Sequence, residues 1–356
     1  VVNAQPTTED ATFSYDTTNY CTVGTDPTPT VTGTSGGTFS ATPSGLSIID
    51  STGAIDLDAS ILGTYAVKYV SSSSNCPDST TFSITLTATN TVSINGGYDI
   101  STATFVQDFS VGTQDLNPTS ISFNNDGTKM YVLGNSGNDI SEYSLSTAFD
   151  VSTASYVTEK SVLEANPTGM TFNNDGTKMF VIGSANHVLE YDLTTAFDIN
   201  TANYAGNTER FNVGNQEANP RGMAFNNDGT KMYVIGTSKK VNEYSLSTAF
   251  DVSSASYTQL FSLQSQVSLP EALAFNNDGT KMYVIGSTED KVNEYSLSTA
   301  FDVSTASYTQ LFSVGSQDLV PTGITFNNNG TKMYVLGAEN DKVYEYSLDN
   351  PAVQTV

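Results

Sequence analysis

The chain of 356 residues has no tryptophan, one histidine (His187), two cysteines, and 13 Lys and Arg against 37 Asp and Glu. Each shortage excludes something. A formal charge of −24 leaves too few clustered cations to neutralise phosphates, so nucleic acid is not an expected partner. Anionic membrane surfaces are disfavoured for the same reason. A single imidazole argues against His-rich metal sites, and no metal or other cofactor is expected. No run approaches the roughly 18 apolar residues of a membrane span, so no membrane insertion is expected. No charged-then-apolar leader opens the chain, and any secretion signal is expected to lie outside it. Gly-x-Ser-x-Gly, HExxH, a Cys–His pair and a phosphate loop are all missing. Sugar-stacking platforms would have to come from the 19 tyrosines.

What the chain does have is a repeat. PTSISFNNDGTKMYVLG (118–134) returns as PTGMTFNNDGTKMFVIG (167–183), PRGMAFNNDGTKMYVIG (220–236), PEALAFNNDGTKMYVIG (270–286) and PTGITFNNNGTKMYVLG (321–337). The opening prolines lie 49, 53, 50 and 51 residues apart, the size of one four-stranded propeller blade. Each unit reads as a short strand, a tight Asn-Asp-Gly reversal, an apolar strand such as Lys231–Ile235, an alternating strand Val241–Leu246, and a fourth strand Ser256–Leu263. The last repeat ends without a fourth strand. An orphan segment, YDISTATFVQDFSV (98–111), aligns with FDVSTASYTQLFSV (301–314). Lending the orphan to the last unit removes two open sheet edges, with Thr104–Val111 expected to pair with Lys342–Leu348. The expected fold is therefore all-β, a five-bladed β-propeller closed by an N-terminal strand over 98–356. A non-closing solenoid would leave the orphan unexplained.

NNDGTKMYV followed by VNEYSLST resembles the YVTN-like repeats of bacterial and phage surface propellers, which are usually seven-bladed. That resemblance covers about 95–356 and implies fold more than activity. Residues 1–90 are rich in Thr, Ser and Gly, and short β-like runs alternate there with turn clusters, which reads as a small sandwich. The stretch Gly45 to Ile55, then Gly63-Thr64-Tyr65, resembles the Ig-like, cadherin-like modules of bacterial surface proteins. An N-terminal Ig-like β-sandwich (1–90) and a polar linker (91–97) are therefore expected before the propeller. Cys21 and Cys76 both fall in this first domain. A solitary pair in a Ser/Thr-rich chain is read as a disulfide formed in an oxidising compartment, the alternative being two free thiols. Closing that loop would stabilise a small domain by about 4 kcal/mol.

The NNDG segments lack the ligand spacing of a calcium loop and are read as turns. Glu142, Glu190, Glu243, Glu294 and Glu345 recur once per unit and are expected to meet the unit's own Lys129, Lys178, Lys231, Lys281 or Lys332. Asp150, Asp198, Asp251 and Asp302 are expected to cap turns. An asymmetric site should break the repeat, and two loops per unit do. Their tips, Asn138, Asp139, His187, Lys239, Lys240, Glu289, Asp290, Asn340 and Asp341, are the candidate ligand-binding residues on one variable face. The acids that break symmetry (Asp139, Glu164, Glu217, Glu271, Glu289, Asp290, Glu339, Asp341) are read as loop tips, and no catalytic residue is assigned.

These features set three functional expectations. The main one is a non-enzymatic extracellular, cell-surface or virion-surface adhesion or display protein binding a surface glycan or protein. One alternative is a structural subunit of a surface filament or phage fibre, with neighbouring subunits as partners. The other is a propeller-type hydrolase or lactonase.

Overall fold

Alternation of buried and exposed residues along Gly63–Val70 (Tyr65, Val67 and Tyr69 in; Thr64, Ala66 and Lys68 out) shows how the N-terminal region folds. One face of that strand is apolar at period two and packs on a core. The computed structural model describes residues 9–21, 26–57, 59–61, 63–72, 77–87, 97–263 and 266–348. The chain divides into two units, Val1–Ile94 and Asn95–Val356. In the first, Gly63–Val70 lies between Thr38–Thr42 and Ser79–Thr87 in a four-stranded sheet that Asn19–Cys21 completes in parallel. Two short pairs, Phe13–Ser14 with Thr30–Val31 and Ser47–Ile48 with Ile55–Asp56, carry further core residues. Phe13, Phe39, Tyr65, Tyr69 and Ile84 are among those closing the core. The expected Cys21–Cys76 bond and most of the expected linker fall outside the described residues.

The second unit is built of four-stranded antiparallel sheets. The first comprises Pro118–Phe123, Lys129–Gly134, Asp139–Leu145 and Ala154–Ser161. The second comprises Pro167–Phe172, Lys178–Gly183 and His187–Leu193, followed by an outer strand split into Ala202–Tyr204 and Arg210–Asn212. The third runs Pro220–Phe225, Lys231–Gly236, Lys240–Leu246 and Ala255–Ser262, and the fourth Pro270–Phe275, Lys281–Gly286, Lys291–Leu297 and Ala306–Ser313. The fifth combines Pro321–Phe326, Lys332–Gly337 and Lys342–Ser347 with the orphan strand, Thr104–Ser110. Val343 lies opposite Phe109, and Glu345 opposite Gln107. The inner strands begin at the proline, earlier than the sequence suggests. Proline lacks an N–H but can still accept a ladder bond as the first residue of a strand.

Sheets stack face to face, which is why the second strand of each is almost continuously apolar. One core lies between each neighbouring pair. Tyr131 and Leu133 of sheet one pack with Met179 and Val181 of sheet two. Phe180 and Ile182 pack with Met232 and Val234, and Tyr233 and Ile235 with Met282 and Val284. Tyr283 and Ile285 pack with Met333 and Val335, and Tyr334 and Leu336 with Met130 and Val132 of sheet one. The last pairing returns to the start.

Polar groups cross the same interfaces. Glu243 is buried and meets Lys231 at 2.9 Å; its other oxygen accepts from the main-chain N–H of Val303 in the next sheet (3.1 Å). Asp302 caps the short helical turn there through Ser304 N (3.0 Å), and Gln259 donates to both carboxylates. Each NNDG turn places its glycine at φ near +70°, a conformation that excludes a side chain. A Cβ on Gly229 would lie 2.2 Å from the Phe250 ring. The aspartate of the turn accepts from the threonine two residues on (Thr230 N to Asp228 Oδ1, 2.9 Å). Asn329 does the same for Thr331 N at 3.1 Å, so the one Asp-to-Asn exchange in the repeat keeps the turn.

Candidate functional site

The five inner strands all line one cavity of about 140 Å3, walled by side chains such as Met170, Met223, Leu273 and Ile324. Residues at the third strand position must be small for these strands to approach: Ser120, Gly169, Gly222, Ala272 and Gly323. A Cβ on Gly222 would lie 2.8 Å from the carbonyl oxygen of Glu271. Between the opening proline and this small residue every inner strand slips register by one residue. The residue in the slip is Thr119, Thr168, Arg221, Glu271 or Thr322. A bulge of this kind re-aims the side chain it carries. All five line a second cavity, of about 170 Å3, with Asn117, Asn135, Val320 and Ala338 from the adjoining loops.

Three of the five build a hydrogen-bonded hoop. Thr119 Oγ1 donates to the carbonyl of Pro167 (3.1 Å), Thr168 to Pro220 (3.0 Å), and Thr322 to Pro118 (2.9 Å). Arg221 and Glu271 interrupt it, and the matching bonds to Pro270 and Pro321 are absent among the described residues. Instead Arg221 Nη1 lies 3.7 Å from Glu271 Oε2, longer than a charge-assisted hydrogen bond. Such a partly exposed pair contributes about 0–1 kcal/mol. The two hydroxyl–carbonyl bonds that it displaces would contribute about 0.5–1.5 kcal/mol each. Stability therefore does not account for the pair.

Glu271 is 8% exposed, and Ser287 Oγ donates to its Oε1 at 2.6 Å. Burial pushes its carboxyl above the usual glutamate value, and Ser287 and Arg221 only partly oppose that rise. The cavity thus joins a guanidinium with uncommitted donors, able to hold a carboxylate or an oxyanion, to a carboxylate with raised proton affinity, able to accept a proton from a bound group. Among the described residues no group of three or more His, Cys, Asp and Glu is placed to hold a metal ion. No described helix is long and apolar enough to cross a membrane.

The nine residues expected to bind a ligand lie at five separate connections between the second and third strands, one per sheet. Asn138, Lys239, Asp290 and Asp341 occupy the same left-handed position (φ 53°, 59°, 52° and 52°), as does Asn186. Their carbonyls accept from the loop that follows the outer strand, as Asn138 does from Val162 N (2.9 Å) and Lys239 from Leu263 N (2.9 Å). Asn and Asp recur there because they tolerate this conformation. Asp139, His187 and Lys240 begin third strands. Glu289 accepts from Ser268 N (3.0 Å), and Asn340 donates to Asp318 (3.2 Å). None of the nine lines the Arg221–Glu271 cavity.

The expectation that Glu164, Glu217 and Glu271 are loop tips is corrected. They are 2%, 1% and 8% exposed. Glu164 and Glu217 sit beneath turns whose main-chain N–H groups need an acceptor: Ala185 N donates to Glu164 (3.0 Å) and Ser238 N to Glu217 (3.1 Å). Glu271 is a strand residue. The signal for it was available, since Pro-Arg-Gly and Pro-Glu-Ala break a column that is threonine in the other three repeats.

No protein-family model and no curated protein matches this chain. Two solved structures resemble it coarsely. A functionally unknown protein from Desulfotomaculum acetoxidans is 12% identical, with 77% of this chain and 76% of that one covered and a TM-score of 0.41. A putative 6-phosphogluconolactonase from Bacteroides uniformis is 14% identical, with coverage of 80% and 74% and a TM-score of 0.43. The expectation of a non-enzymatic adhesion or display protein is corrected: the second of these structures bears the name of the lactonase class that stood as an alternative.

Proposed function

We propose that the second unit is a five-bladed β-propeller of the YVTN-like repeat class, that the first unit is an Ig-like sandwich, and that the propeller is a hydrolase of small lactones. The observation that carries the activity is the replacement of two hoop threonines by Arg221 and Glu271 at one end of the axis. The closing strand, the five inter-sheet cores and the inner strands around one cavity support the blade count.

In this reading Arg221 holds the lactone carbonyl, and Glu271 takes a proton from a water as its oxygen adds to the carbonyl carbon. The oxyanion that forms lies against the guanidinium. Its collapse breaks the ring C–O bond, and the leaving alkoxide takes the proton back from Glu271. The product is the open hydroxy acid, whose proton passes to solvent. Glu271 acts in its ionised form, and the proton affinity that burial raises makes it a stronger base than an exposed glutamate. Turnover of unsubstituted five- and six-membered lactones, followed by acid release in a pH-stat, tests the proposal; Glu271→Gln should abolish it.

A further inference from the structure

We propose that Val320 and Ala338 form an alkyl subsite beside Glu271, which makes the substrate a lactone bearing a short apolar side chain. This inference rests on the hydrolase reading and names its substrate class. It comes from a second break in the repeat, at two loop positions by the Arg221–Glu271 cavity. One position immediately precedes the opening proline and reads Asn117, Asn166, Asn219, Leu269 and Val320 from sheet one to sheet five. The other follows the second strand and reads Asn135, Ser184, Thr237, Ser287 and Ala338.

The main chain joins the two positions in the same way in every sheet: the N–H of the second donates to the carbonyl of the first at 3.0 to 3.2 Å. Only the side chains differ. In sheets one and two they complete a clasp, Asn117 Nδ2 donating to Asn135 Oδ1 (2.6 Å) and Asn166 Nδ2 to Ser184 Oγ (3.2 Å). In sheet four Leu269 replaces the asparagine, and the Ser287 hydroxyl donates instead to Glu271 Oε1 (2.6 Å). That exchange serves the carboxylate. In sheet five both positions are apolar, and no bond of this kind is gained.

Val320 and Ala338 line the same cavity as Arg221 and Glu271, and the fold leaves them uncovered: Val320 is 40% exposed and Ala338 is half-buried. Sheet five packs on sheet four, on the side away from sheet three, which carries Arg221. With the lactone carbonyl held at Arg221 and water activated at Glu271, the rest of the ring extends toward sheet five. The other polar side chains of the wall are bonded to each other or to the hoop. A pocket with two charged groups at one end and an apolar wall beside them selects a substituent without hydroxyls.

Hydrolysis by the full chain of γ-butyrolactone and its γ-butyl and γ-hydroxymethyl derivatives tests this, beside calorimetric titration with acetate and hexanoate, whose carboxylate engages Arg221 without turnover. The γ-butyl lactone should exceed both others in kcat/KM by about tenfold, and hexanoate should bind about tenfold more tightly than acetate. The double variant Val320→Asn/Ala338→Asn copies the Asn117–Asn135 clasp on the same main chain. It should melt no lower than the parent and lose both preferences. Lactone opening that ignores the butyl group, or a double variant that keeps the preference, overturns the inference and leaves the hydrolase reading in place. If no lactone is opened while hexanoate keeps its advantage, the hydrolase reading falls and the alkyl subsite stands. If hexanoate also binds no better than acetate, both fall.

Discussion

The side-chain amide of Asn328, in the fifth sheet, donates to the main-chain carbonyl of Asn125 in the first. The same bond links Asn125 to Asn174, Asn174 to Asn227, Asn227 to Asn277, and Asn277 to Asn328. The second asparagine of each NNDG turn therefore belongs to a closed ring of five, and this requires the inner ends of the sheets to meet in a circle. Tyr334 and Lys332 close the outer circumference in the same sense, both donating to the carbonyl of Phe149 in sheet one (2.6 and 2.8 Å).

Removing the strand that completes sheet five should be far worse than cutting one link of the ring. Deletion of residues 98–111 exposes the edge of Lys342–Ser347 and takes away Tyr98, whose carbonyl accepts from Tyr283 and Lys281. Aggregation or a broad, non-cooperative thermal transition is expected. Asn328→Ala should stay cooperative and lose about 1 kcal/mol in urea. A deletion variant that melts as sharply as the parent contradicts the closure.

Breaking one of the recurrent ion pairs from its cationic side should leave a carboxylate stranded. Lys231→Met removes the partner of Glu243, which is 2% exposed and fixed by Val303 N and Gln259. A loss of about 3 kcal/mol is expected, at the low end for buried pairs because the ammonium is partly exposed. Chemical denaturation reads it, and a change below about 0.5 kcal/mol would show the pair to be ornamental.

Gly229→Ala should cost about 1–3 kcal/mol, because the added methyl meets the Phe250 ring at a positive φ. Thermal unfolding checks this, and a stabilised variant would contradict the packing described.

Acid should weaken the turns selectively. Thr128, Thr177 and Thr230, through hydroxyl and main-chain donors, hold Asp126, Asp175 and Asp228 below the usual value of 3.8. A depressed folded value means that the stabilisation is present above the unfolded value and is lost as pH falls through the folded one. Asp228→Asn copies the turn already made by Asn329. It should be less stable than the parent at pH 7 by a small margin that narrows as pH falls below about 3.8. Paired urea titrations at pH 7 and pH 2.5 measure the margin, and a gap that widens in acid would refute the assignment.

The repeat made the sheets legible, because near-identical segments must fold alike and the apolar second strand, the Gly turn and the orphan strand each have one reading. The Glu–Lys pairs were legible too, since a bond needed by every unit recurs in every unit. The candidate site was not. Arg221 and Glu271 stand in strands, where the pattern suggests packing, and only the register slip after the proline turns them into the cavity. Burial hid Glu164 and Glu217 as well, for a polar residue near a turn looks exposed until the N–H groups above it are placed. Lys239 and Asp290 read in the sequence as variable charges, whereas their left-handed conformation gives them a turn-forming role shared with Asn138 and Asn186.

The most direct test of the account is the pH dependence of lactone hydrolysis by the parent chain beside Glu271→Gln, Arg221→Gln and the hoop control Thr119→Val. The account predicts that the parent opens a small lactone with kcat/KM rising with pH along a limb set by a carboxyl above the usual glutamate value of 4.5. Glu271→Gln should lose that limb and at least a hundredfold in rate, Arg221→Gln about tenfold to a hundredfold, and Thr119→Val little. Absence of turnover by the folded parent, or equal turnover by parent and Glu271→Gln, would contradict it.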